Sequence, residues 1–261
     1  MSESGQSRLP TFYAGAVPLS STLHAAWRLL PGDAGFAAQA SAVPLTGGEF
    51  AAASSAYPIL FTADEPSPVA LMGLARDNLF VEEGRWAKGS YVPAYVRRYP
   101  FILIEAQDKS GYALGIDQTG IQVAKSGKDG EPLFEAGEPG PVTRRALEFC
   151  RLFNEDHLRT RAFCGALVEA DLLVDRRADV ALPDGRKLGV AGFKVVDAER
   201  FAKLDDARVL DWHRKGWLAL VNFHLASLAR FDALLMLQGQ RSATEASSSA
   251  SNEASEKAAR D

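Results

Sequence analysis

The stretch Tyr91-Val92-Pro93-Ala94-Tyr95-Val96-Arg97-Arg98-Tyr99-Pro100-Phe101 dictates its own geometry more tightly than any other part of the chain. Pro93 suits the first turn of a helix, because its φ is already helical and it has no N–H to lose there. Pro100 cannot continue that helix, and it pushes Tyr99 toward extended backbone. A short helix is therefore expected over about 93–98, then a strand over 101–106. Three tyrosines, a phenylalanine and an arginine pair packed around two prolines fit neither a plain surface nor a plain aliphatic core.

Antiparallel sheet is expected around this stretch. Residues 58–62, 69–75 and 79–81 read as three strands joined by short turns, a meander. Residues 112–117 and 121–124 read as a hairpin turning at Gln118-Thr119-Gly120. Residues 125–141 are rich in Gly, Pro, Lys and Glu and read as a surface loop and internal boundary, pinned by Leu133-Phe134. Thr143 would cap a helix over about 144–153; Asn154-Glu155-Asp156 would break it, and a second helix would run over 156–170. Pro183-Asp184-Gly185 reads as another hairpin turn. Asp197 would cap a helix over 198–203, and Asp205 or Asp206 a long final helix over 207–237. Strands, helices, a hairpin and more helices, in that order, give an α+β fold: mostly antiparallel sheet packed against several helices, with a long C-terminal helix. Residues 1–20 are expected as a flexible lead-in, 21–238 as a single domain, and 239–261 as a disordered tail without apolar pattern.

With 261 residues, 47% of them apolar, the chain can bury a sizeable core. A net charge of −4 argues against a general nucleic-acid binder, which needs a basic surplus. Cys150 and Cys164 both fall in helical sequence. On one continuous helix they would sit roughly 20 Å apart, beyond the ~7 Å that a disulfide allows, so buried free thiols in a reducing compartment are expected. No secretory pattern opens the sequence, and a cytoplasmic location is expected. Residues 216–237 are apolar and long enough to span a bilayer, but Asn222, His224, Arg230 and Asp232 interrupt them. A buried helix, and no membrane span, is expected. There is no Cys/His spacing of zinc type, so neither metal nor cofactor is expected.

Glycine-rich phosphate loops, nucleophile elbows and HExxH are absent from the sequence. Two constellations remain. His213, Trp217, Leu220, His224, Leu228, Phe231 and Leu235 step by three or four residues and would share one helix face. The two histidines are about three turns apart, ~16 Å, so they cannot share a metal. Either could act as an acid/base or be a satisfied core histidine. Trp212 and Trp217 could line a pocket mouth. Arg97 and Arg98 diverge by ~100° around their helix, so one could tie the helix to an internal acid (Glu105, Asp77 or Asp117) while the other meets solvent or a ligand.

The 91–101 run, with Asn78-Leu79-Phe80-Val81, Trp86, Leu114-Gly115-Ile116-Asp117, Thr160-Arg161-Ala162-Phe163-Cys164 and the Gly216–Leu228 segment, closely resembles the SapC family over roughly residues 55–237. The resemblance implies an association with the bacterial surface layer, from which the family takes its name. Relatives are often encoded near TonB-dependent receptors and near tryptophan-halogenase-like or cupin-like proteins. That setting implies an accessory role in uptake or modification of a peptide or other organic ligand. It carries over no catalytic residue. The expectation is thus a non-enzymatic binding or accessory protein, its partner an unknown protein or peptide, with Tyr95, Arg97, Arg98, Trp212 and Trp217 as one ligand- or partner-binding surface. The alternative is an enzyme acting on a peptide or amino-acid-like substrate, with His213 or His224 as its acid/base.

Overall fold

The computed structural model of the chain describes residues 10–105, 111–181 and 187–258. Two antiparallel sheets carry the α+β fold. The larger has five strands in the order Leu173–Ala181, Lys187–Val196, Ile59–Thr62, Pro68–Leu71, Ala42–Pro44. The smaller has three, with Tyr112–Asp117 between Ala16–Pro18 and Phe101–Glu105. Each sheet has its own apolar cluster. Tyr57, Ile59, Phe61, Phe163 and Leu167 belong to the first, and Trp27, Phe101, Ile116, Leu133 and Cys150 to the second.

One helix, Pro141–Glu169, serves both clusters. At ~1.5 Å per residue its 29 residues extend about 43 Å. Its N-terminal half places Val142 and Cys150 in the smaller cluster, and its C-terminal half places Phe163, Cys164 and Leu167 in the larger. The expected break at residues 154–156 does not occur. Neither Gly nor Pro stands at or beside these three residues, and Asp156 accepts the Gly48 N–H at 3.1 Å. Proline at the first helical position, behind Gly140, starts the helix. Thr143, expected as the cap, instead donates to the Leu133 carbonyl at 2.6 Å and holds the loop on the core. Both cysteines are free and buried.

Several strand pairings differ from the local reading. Residues 79–81 do not complete a meander: Val81–Glu82 pairs with Arg85–Trp86, and Ala42–Pro44 takes the place beside Pro68–Leu71. Tyr112–Asp117 pairs with Phe101–Glu105, while Val123–Ala124 pairs with Arg28–Leu29. The expected lead-in contributes a strand, Ala16–Pro18, on Gly115–Asp117. The strands on either side of Pro183-Asp184-Gly185 are paired; the turn expected there and residues 1–9 lie outside the described residues.

The expected single C-terminal helix is three helices: Asp206–Arg214, Trp217–Ser227 and Arg230–Ala258. Gly216 breaks the first junction at φ +75°, a left-handed conformation that glycine adopts without steric cost. Asp205 caps the first helix by accepting the Arg208 N–H at 2.9 Å. From Val221 on, one stripe is buried: Val221, His224, Ser227, Leu234, Gln238 and Ser242. The stretch Trp217–Thr244 is long and apolar enough to cross a membrane by length and composition, and 22% of its most apolar window is buried. The buried helix expected for residues 216–237 is therefore a one-sided one, because only its inner stripe meets the sheet. Order does not end at residue 238. The Gln238 side chain accepts from the Leu74 N–H at 3.3 Å, and Arg241 donates to the carbonyls of Asn78 and Val81, each at 3.3 Å.

Candidate functional site

The short helix is Ala94–Arg97, followed at once by the strand Phe101–Glu105. The Tyr99–Pro100 peptide is cis. A buried carboxylate holds the helix in place. Glu49 is only 5% exposed. Its Oε1 accepts from the Ala94 N–H at 2.6 Å and the Tyr91 hydroxyl at 3.0 Å. Its Oε2 accepts from the Thr46 N–H and hydroxyl, at 2.8 and 2.9 Å. A negative charge at a helix start satisfies N–H groups that have no partner within the helix. Tyr95 then donates to the Thr11 carbonyl at 2.9 Å, and Tyr13 to that of Phe101 at 2.6 Å. Burial, opposed by Arg98, keeps both phenols above their usual pKa.

This frame sends the two arginines to different places. Arg97 is exposed; it donates to the Val92 carbonyl and the Tyr91 hydroxyl, both at 3.0 Å, and lines a cavity of about 610 Å³ with Asp33, Trp86 and Tyr99. The Arg98 guanidinium carbon lies over three rings, 4.3 Å from the centre of Tyr95, 4.5 Å from Phe153 and 5.5 Å from Tyr13. Its Nε–H is buried without an acceptor among the described residues. Nor, among the described residues, does any carboxylate form an ion pair with either arginine. Asp117, one of the expected partners, accepts instead from Ala14, Gly15 and Thr119. Burial alone would raise its pKa, but those hydrogen bonds outweigh it and hold the carboxyl below its usual range.

Arg98 opens on a cavity of about 330 Å³ where the two sheets meet the long helix. Pro44 and Leu45 line it from the first sheet's edge, Ile102 and Leu103 from the second sheet, and Cys150, Phe153, Asn154 and His157 from the long helix. The His157 ring lies parallel to Phe153, at 5°. Partial burial, with Arg161 and Arg98 nearby, keeps it below the ordinary histidine pKa. Burial pushes the Cys150 thiol up to about 11. Sequence reasoning overlooked Phe153 and His157 as site residues, although positions 150, 153, 154 and 157 repeat at helical spacing. The assumed break at 154–156 hid that face. Glu49 also had a signal, since Thr46-Gly47-Gly48-Glu49 is a capping-box pattern.

The remaining candidates lie elsewhere. Trp212 is 3% exposed and meets Trp217 edge-to-face at 5.8 Å. Both line a third cavity, of about 650 Å³, which shares no lining residue with the Arg98 cavity. The five residues expected to form one surface are thus spread over three cavities. His213 is exposed on the Asp206–Arg214 helix, while His224 is fully buried. The left-handed turn at Gly216 puts them on different helices, so they share no face. His224 uses both ring nitrogens: Nε2 accepts the Val196 N–H at 3.0 Å and Nδ1 faces the Ile59 carbonyl at 2.8 Å. Burial, opposed by the bond to Ile59, lowers its pKa to about 4. With both nitrogens engaged by backbone groups, this imidazole has none left for a substrate.

Two antiparallel sheets bridged by one long helix, with an aromatic-boxed arginine at their junction, define the class of protein: an α+β domain with a half-closed pocket. The chain belongs to the SapC family, whose model matches residues 19–234. Comparison with curated proteins and with solved structures gives no match.

Proposed function

We propose that this SapC-family protein is a non-enzymatic binding or accessory protein that holds a peptide or other organic ligand in the Arg98 cavity. One observation carries the reading. Among the described residues, Arg98 is held by aromatic rings instead of a counter-charge, beside an apolar space large enough for a small molecule. Ligand sites are concave, mostly apolar and few in polar groups, and run from about 300 to 1,000 Å³. Arginine is the usual residue for recognising planar anions. The family setting, in uptake or modification of such ligands, agrees with this role, and a link to the cell surface layer would place the same pocket in that context. The test is native mass spectrometry of protein purified gently from the source bacterium. A small molecule should accompany the wild type and be missing from Arg98→Met, with the melting temperatures nearly equal. A large fall in stability with the small molecule retained would assign Arg98 to the scaffold alone.

A further inference from the structure

We infer that the Arg98 cavity selects a small monocarboxylic acid with an apolar body, its carboxylate on the guanidinium and its body against Leu45, Leu103 and Phe153. This rests on the reading of that cavity as the ligand site.

The charge inventory points to a monoanion. Among the described residues, Arg98 is the one permanent cation lining the space, and no carboxylate lines it. The other titratable groups on its wall stay uncharged near neutral pH. The Cys150 thiol and Tyr95 phenol are raised by burial, and the His157 imidazole is lowered by burial and by Arg161 and Arg98. The cavity therefore holds one positive charge. A single negative charge balances it, whereas a dianion would bring an uncompensated charge into a half-enclosed apolar space. The rings around Arg98 attract it through their quadrupoles but do not neutralise it, and its Nε–H lacks an acceptor among the described residues.

The geometry separates carboxylate from phosphate. Phosphate sites use helix N-termini and glycine-rich backbone nests. Among the described residues no glycine lines this cavity, and the long helix presents its middle, Cys150 to His157, rather than its start. Neutral donors remain at the wall in Ser67 and Asn154, enough for the second face of a carboxylate. At about 330 Å³ the space suits an acid with one ring or a short chain.

The test is an NMR titration of the isotope-labelled full chain with four probes sharing one phenyl body: 3-phenylpropanoate, 3-phenylpropanamide, phenyl phosphate and phenethylamine. The acid should shift resonances of Tyr95, Arg98, Phe153 and His157, with the amide and the amine at least tenfold weaker and phenyl phosphate weaker than the acid. Arg98→Lys should weaken the acid at least tenfold. Equal or tighter binding of the amide, phosphate or amine at these residues would overturn the carboxylate assignment and leave the cavity as the ligand site. No perturbation there by any probe, with no small molecule co-purifying, would overturn both. The comparison among probes uses the wild-type protein, so it stands even if an Arg98 variant fails to fold.

Discussion

Arg98 and His224 show two ways of keeping a nitrogen base inside a protein. Arg98 keeps its charge and is surrounded by ring faces. His224 gives up its charge and spends both nitrogens on the backbone of two neighbouring strands, at Ile59 and Val196. The second solution has a pH signature. A free imidazole titrates near 6.5, whereas burial lowers the folded value to about 4. The unfolded chain therefore takes up a proton that the folded chain refuses. Stability is full above about pH 6.5 and falls as the pH drops toward 4, by a total on the order of 3 kcal/mol. His24 and His157 are lowered too and add in the same direction. Urea midpoints at pH 7.5 and 4.5 should show the loss. His224→Gln, which keeps one donor and one acceptor, should flatten the slope while lowering stability at neutral pH; an unchanged slope would mean that the acid sensitivity lies elsewhere. At this scale the sequence was partly legible. Arg98 stood out because arginine is rarely packed among tyrosines. Glu49 did not, because its ligands lie both three and some forty residues away, and only the near one leaves a pattern.

Elements were legible where a single residue dictates the backbone, and illegible where two distant segments decide together. Pro100 follows the short helix as expected, while Pro93 stands just before it as the N-cap, with ψ 144°, and not in its first turn; Asp197 caps the next short helix as expected, accepting from Glu199 and Arg200. By contrast, Asn154-Glu155-Asp156 looks like a break only in isolation. The two cores at either end of the long helix make its continuity worthwhile, since packing outweighs weak propensity. Gly216 was the reverse case, a glycine inside an apolar periodic run. Its φ is +75°, and a Cβ there would meet nothing within 4 Å. Gly216→Ala should therefore isolate the backbone cost, about 1 kcal/mol of stability by urea unfolding, with Gly216→Asn costing less because asparagine tolerates this conformation. If alanine there is neutral or stabilising, the three-helix arrangement is wrong and a continuous helix is favoured.

For the molecule as a whole, the fold class and the main strands were readable, while the partnership between the first residues and the middle of the chain was not, because local pattern cannot name a remote partner. The C-terminal boundary is one such case. Gln238 and Arg241 lock the last helix onto the 74–81 segment. A chain ending at Thr244 should melt as the full chain does. One ending at Leu237 should lose about 2 kcal/mol, since it strips a buried Leu74 N–H of its acceptor. Equal melting of both would show that these contacts add nothing.

The strand Ala16–Pro18 finds its partner only when residues 115–117 exist. At roughly 5–20 residues per second, the ribosome delivers that partner about 5–20 s later. Throughout that interval the smaller sheet cannot close, because both its central strand and Phe101–Glu105 are still to come. A long apolar strand kept waiting would be open to wrong pairing. This one is three residues long and ends in a proline, which offers no N–H to a stranger. The strand Ala16–Pro18 is thus suited to waiting until Phe101–Glu105 and Tyr112–Asp117, the other two strands of the smaller sheet, have been made.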